Sequence, residues 1–224
     1  MWQDRAGNRY TSQWISSVDR RVLLLRRRKD GRVDILFDES RGDPRRSQSS
    51  VESVGGMAFA ADGSLFFTNG GVLRRLAPDG RVTKMYDGGA ASSLRGLAAA
   101  SDGRVLVADM GAKAVLAIGK DGRVSTSYRE TTGWLPTAVA LAGGRLLVLE
   151  ANADPYQREE RVRVIQVEDG RARVIAAPGH PPAAQATEWE AGGRGVRTAL
   201  LASLAVSAAF IAAWWLGRLR KPAA

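Results

Sequence analysis

The chain has 224 residues, 33 Lys and Arg against 23 Asp and Glu, a formal charge of +10, no cysteine and one histidine. Disulfides and thiolate chemistry are excluded, and a catalytic triad would have to be built on His180, in a Pro-rich stretch without rigid support. Five of the basic residues are lysine, so arginine carries the charge. That suits either an anionic partner or solvated edges in an Arg- and Ala-rich sequence.

In chain order, the first element set is "AGNRYTSQWISSVDRRVLLLRRRKDGRVDILF", with turns at Gly7-Asn8 and Asp30-Gly31. Residues 1–5 are too short and polar to supply a further strand before it. Arg26-Arg27-Arg28-Lys29 is its dense basic cluster, set against a turn at an outer margin, where charge discourages edge pairing. A second set, Gly56 to Tyr86, turns at Asp62 and Asp79. A third, Gly96 to Tyr128, turns at Asp102 and Asp121, and a fourth, Thr137 to Ile175, turns at Gly143 and Asp169. From the second set on, the first turns recur at steps of 40 and 41 residues, the second at 42 and 48. The longer step absorbs the insert "EANADPYQREERVRV" around Pro155.

Runs such as Leu65-Phe66-Phe67, Val105-Leu106-Val107 and Leu146-Leu147-Val148 are branched or aromatic and too short for helices. Two-residue Asp-Gly and Gly-Gly turns suit hairpins. Each copy therefore predicts strand, turn, strand, link, strand, turn, strand. Four antiparallel strands in about 40–45 residues is the blade of a β-propeller. The predicted fold class is all-β, with four blades at 6–38, 53–87, 94–128 and 135–176. The competing arrangement is hairpins in one open sheet, which would leave reactive edges.

"GLAAASDGRVLVADMGAKAVLAIGKDGRV" resembles an NHL repeat, within a wider group that includes gluconolactonase-like propellers. The resemblance spans about residues 6–176 and implies a fold that hosts lactonases, peptide binders and RNA binders alike. Propellers of this kind usually have about six blades, which needs about 250 residues. The expectation is either an incomplete chain or a four-bladed ring completed by another segment. The resemblance also implies metal ligands at the start of each innermost strand. The matching positions here are Gly55, Arg95 and Pro136, which offer no carboxylate, so no cofactor is expected unless other blades bring Ca²⁺ ligands. Arg95 suits an anion or a salt bridge to the neighbouring blade.

Register supplies a second set of candidates. Seven residues past Ala6, Asp62, Asp102 and Gly143 stand Gln13, Asn69, Asp109 and Glu150, a polar or acidic residue at the end of every second strand. Such a ring can coordinate a hard cation or hydrogen-bond a polar ligand. Alternatively, each residue caps the turn into its third strand. Tyr156, Arg158 and Glu159, in the long insert, are candidates for partner contact.

After 176 the sequence becomes a Pro-, Gly- and Ala-rich linker, 177–196, in which "GGRGVR" follows no strand and makes no phosphate loop. Thr198 to Gly217 is twenty residues without a charge, enough to cross about 30 Å of hydrocarbon as a helix. With Arg197 it defines a membrane span at 197–217, ended by Trp214 and Trp215 and followed by a basic tail at 218–224. The cation bias predicts a cytoplasmic tail and extracytoplasmic blades; a cytosolic propeller on a tail anchor is the competing topology.

The functional expectation is a membrane-anchored binding or scaffolding propeller for a protein or small ligand. The alternative is a metal-dependent lactonase or related hydrolase. A third reading, anionic lipid or nucleic-acid binding through arginine, is weaker for nucleic acid because aromatic residues do not interleave with the basic ones.

Overall fold

A computed structural model describes residues 2–4, 6–14, 22–38, 54–152 and 162–177. Among them are sixteen strands and no helix. The first sheet contains β1 (Trp2–Gln3), β2 (Arg9–Trp14), β3 (Val22–Arg27) and β4 (Val33–Asp38). The second contains β5 (Val54–Phe59), β6 (Leu65–Asn69), β7 (Val72–Leu76) and β8 (Val82–Asp87). The third contains β9 (Leu94–Ala99), β10 (Val105–Asp109), β11 (Ala114–Ile118) and β12 (Val124–Arg129). The fourth contains β13 (Trp134–Ala142), β14 (Arg145–Asn152), β15 (Val162–Glu168) and β16 (Arg171–Ala176). Each sheet is an antiparallel meander in chain order. Four separate sheets replace the single open sheet that hairpin stacking would have made. The linker, the span at 197–217 and the tail lie outside the described residues.

The first sheet corrects one expectation, because it does have an innermost strand. Trp2 pairs with Tyr10, and Gln3 with Arg9. Two residues suffice because Asp4 secures the turn behind them. It accepts from the Asn8 backbone at 2.9 Å, the Asn8 side chain at 2.8 Å and the Tyr10 hydroxyl at 3.0 Å.

In the first three sheets the Asp-Gly turns are longer than two residues. Across the 60–64 turn, Ala60 N–H donates to Ser64 O at 2.9 Å, and Gly63 takes φ +81°, the left-handed region that glycine enters at least cost. The aspartate then binds the chain two residues on: Asp62 accepts from Ser64 N–H, and Asp30, Asp79, Asp102 and Asp121 repeat that bond to Arg32, Arg81, Arg104 and Arg123. Two-residue turns occur in the fourth sheet, at Gly143-Gly144 and Asp169-Gly170, where both central residues have positive φ.

Neighbouring sheets pack face to face through three apolar cores. Tyr10, Val22 and Leu24 of the first sheet meet Met57, Leu65, Phe67 and Leu76 of the second. Phe66 and Leu73 meet Val105, Val107, Leu116 and Ile118. Leu106, Val115 and Ala117 meet Val139, Leu146, Val148, Ile165 and Val167. The innermost strands approach closely: a Cβ on Gly56 would lie 2.7 Å from Arg95 O and 2.9 Å from Gly96 Cα.

Candidate functional site

A meander puts both hairpin turns of a sheet at one end. Its link from second to third strand, and the link to the next sheet, lie at the other. Those of the sequence-derived site positions that lie among the described residues fall at this link-bearing end. There, backbone bonds tie the links together. Leu94 N–H donates to Gly70 O at 2.9 Å, Met110 N–H to Ser93 O at 2.9 Å, and Glu130 N–H to Lys113 O at 2.8 Å.

Asp109 is the central fastener of the third sheet and is 1% exposed. It accepts the Ser92 hydroxyl at 2.7 Å, Ser93 N–H at 2.9 Å and Ala112 N–H at 3.1 Å. Its oxygens thus hold both the incoming link and its own turn, the capping role foreseen as one alternative. Asn69 is also buried, whereas Gln13 is exposed. Asn69 and Asp109 end their strands, but β2 runs on to Trp14, and β14 continues two residues beyond Glu150 to Asn152. The regular ring expected from register is therefore uneven.

Glu150 is fully buried and sits in a charged cluster between the third and fourth sheets. Its Oε2 accepts from Arg163 Nε at 2.7 Å, while no donor lies in hydrogen-bond geometry with Oε1. Arg163 Nη2 reaches Glu130 Oε1 at 3.1 Å, and its guanidinium lies 4.3 Å over the Trp134 ring. Glu130 also accepts from Thr132 N–H, the Thr132 hydroxyl and Gly133 N–H. Burial pushes the Glu150 carboxyl above the ordinary range, outweighing Arg163 and the facing Tyr128 hydroxyl, which oppose it. Burial also pushes on Glu130, but there the Thr132 bonds, Arg163 and Gly133 prevail and hold it low. Tyr128 is raised by burial and by Glu150 beside it.

Gly55, Arg95 and Pro136 do lie near the starts of innermost strands. A Cβ on Gly55 would meet Leu94 O at 2.8 Å, so the glycine serves close strand approach. Arg95 is half-buried with Nε 3.2 Å from Met110 Sδ, which brings it to the link held by Asp109. Pro136 is the register partner of Glu150. Among the described residues, no three His, Cys, Asp or Glu side chains are placed to hold a metal. Tyr156, Arg158 and Glu159 fall in 153–161, outside the described residues. Sequence reasoning missed Glu130, Tyr128, Trp134 and Arg163. A signal did exist: strand alternation buries Glu150, which calls for a cation, and Arg163 is its opposite number across the hairpin.

The chain matches no protein-family model and no curated protein sequence. Solved structures do match. Virginiamycin B lyase from Staphylococcus aureus superposes with a TM-score of 0.57 at 15% identity, covering 77% of this chain and 53% of that one. A nidogen/laminin complex matches at 0.54 and 13% identity, covering 79% and 64%, and a streptogramin B lyase at 0.51 and 13%, covering 76% and 65%. The fold is a β-propeller. Its blades are the four meanders, and the chain spans about half to two-thirds of the length of these solved chains. At such identities the likeness extends to the fold alone.

Proposed function

We propose that the chain is a binding or scaffolding propeller, tethered to a bilayer through 197–217, that takes a protein or small-ligand partner at its link-bearing end. The observation that carries this reading is how the acidic groups there are used. Asp109 spends its acceptor capacity on Ser92, Ser93 and Ala112, and Glu150 is clamped by Arg163. That chemistry fixes the shape of a surface rather than aiming carboxylates at one reacting atom. One solved propeller of similar fold occurs in a complex between nidogen and laminin, which fits a partner-binding use. The lactonase alternative has less support, since Gly55 and Pro136 carry no ligand atom and Arg95 brings positive charge to the same region.

The test is photo-crosslinking in membranes of cells making the full chain, with the reactive group at exposed Thr131 on the link-bearing end or at Arg104 on the turn-bearing end. A discrete adduct from Thr131 alone is expected. Equal adducts from both positions would defeat the reading. Hydrolysis of a lactone that depends on added Ca²⁺ or Zn²⁺ would replace it with the hydrolase. Protease protection of 218–224, with accessible blades, is the outcome expected for a cytoplasmic tail.

A further inference from the structure

The first blade departs from the others at one cross-strand row. In the second, third and fourth blades, the pair that opens the β6–β7, β10–β11 and β14–β15 ladders beside the turns is aliphatic. The pairs are Leu65–Leu76, Val105–Ile118 and Leu146–Val167. All six side chains are buried, and each pair packs on the preceding blade. In the first blade the same row is Arg9 opposite Arg27. Tyr10, Val22 and Leu24 turn toward the second blade, so by strand alternation the two arginines face away from it. Both are exposed, and neither has an ion pair among the described residues. By contrast Arg26 and Arg28 share Asp34, at 2.9 and 2.7 Å. Val33 extends the arginine row, and Thr11, Leu25 and Ile35 make the next one on the same face. Val33 is 51% exposed and Ile35 56%.

We propose that this face of the first blade, centred on the Arg9–Arg27 pair, docks an acidic protein segment. Like charges directly opposite on paired strands repel. Carboxylates set across them turn that repulsion into two charge-assisted contacts, for which the guanidinium fork is well shaped. The aliphatic side chains beside the pair favour a protein partner that alternates acidic and apolar residues in extended form. Phosphate groups on a lipid surface or a nucleic acid would leave Val33 and Ile35 unmatched.

The probe is a synthetic peptide alternating Glu and Val, with a Lys/Val peptide as control, titrated against the full chain in nonionic detergent. Binding of the Glu/Val peptide is expected to weaken about tenfold or more in Arg9→Ala and Arg27→Ala, and to weaken again in about 0.5 M salt. Slowed amide exchange should be confined to 9–14 and 22–38. The Arg9→Leu/Arg27→Leu double variant rebuilds the row of the other blades, so it should keep the melting transition while losing the peptide. Equal binding by the arginine variants, equal binding of the Lys/Val peptide, or no binding at low salt would each overturn the proposal. Tighter capture of phosphatidylserine vesicles or single-stranded DNA by the same arginines would overturn it in favour of a phosphate ligand.

Discussion

At Asp109 a single buried carboxylate holds two links, through Ser92 and Ser93 on one side and Ala112 on the other. Asp109→Ala strands two partly buried N–H donors, and a loss of about 2 kcal/mol is expected from the urea midpoint. Asp109→Asn keeps one acceptor and should lose about 1 kcal/mol. Arg163 neutralises two carboxylates that are themselves 2% and 0% exposed. Arg163→Ala leaves both charges buried and unpaired, so a loss of about 3–5 kcal/mol is expected in the same measurement. The pH dependence separates the two acids. Glu150 is raised in the folded state, so above the ordinary carboxyl value the native form holds the extra proton, and its contribution to stability falls as pH rises through that window. Glu130 is lowered, so its contribution is present above the ordinary value and is lost as pH falls toward the depressed one. Glu150→Gln should therefore gain on the parent as pH rises above the ordinary carboxyl value. A variant that instead loses ground at the higher pH would show that the Arg163 pairing outweighs burial.

Strands and turns show which parts of this architecture a sequence exposes. Asp62, Asp102 and Gly143 were readable as turns because spacing and residue type agree, and the strands between them follow from short branched runs. The strand at Trp2–Gln3 was hidden because its support is a side-chain cap at Asp4, which no period marks. Three of the four residues seven past the turn are buried, as a recurrent position suggests, but their partners depend on bulges in β5, β9 and β13 that shift register beside them. The Arg9–Arg27 pair appears only once strand pairing is known, because in the sequence Arg27 is one basic residue among four. Gly56 is likewise ambiguous as a letter and clear as a contact. An alanine there would press on Arg95 O and Gly96 Cα, both backbone atoms with little freedom to move. Gly56→Ala should cost about 1–3 kcal/mol in urea unfolding, without altering the turn-bearing end.

On the scale of the molecule, three apolar cores among the described residues join four blades in series, so stability is transmitted between neighbours rather than from one shared centre. Among the described residues the first blade is held by the core containing Leu24 and Phe67, while the second and third share the core containing Val107. Both Leu24 and Val107 are fully buried, so Leu24→Ala should cost about 2–5 kcal/mol, and Val107→Ala somewhat less for its smaller side chain. The location of the damage should differ more than its size. Leu24→Ala loosens the one described attachment of the first blade, so amide exchange should rise first in β1–β4 and leave β9–β16 protected. Val107→Ala weakens a central joint, so exchange should rise on both sides of it. If both variants raised exchange uniformly over all sixteen strands, the blades would form one cooperative unit, and the serial arrangement of cores would not describe how the propeller opens.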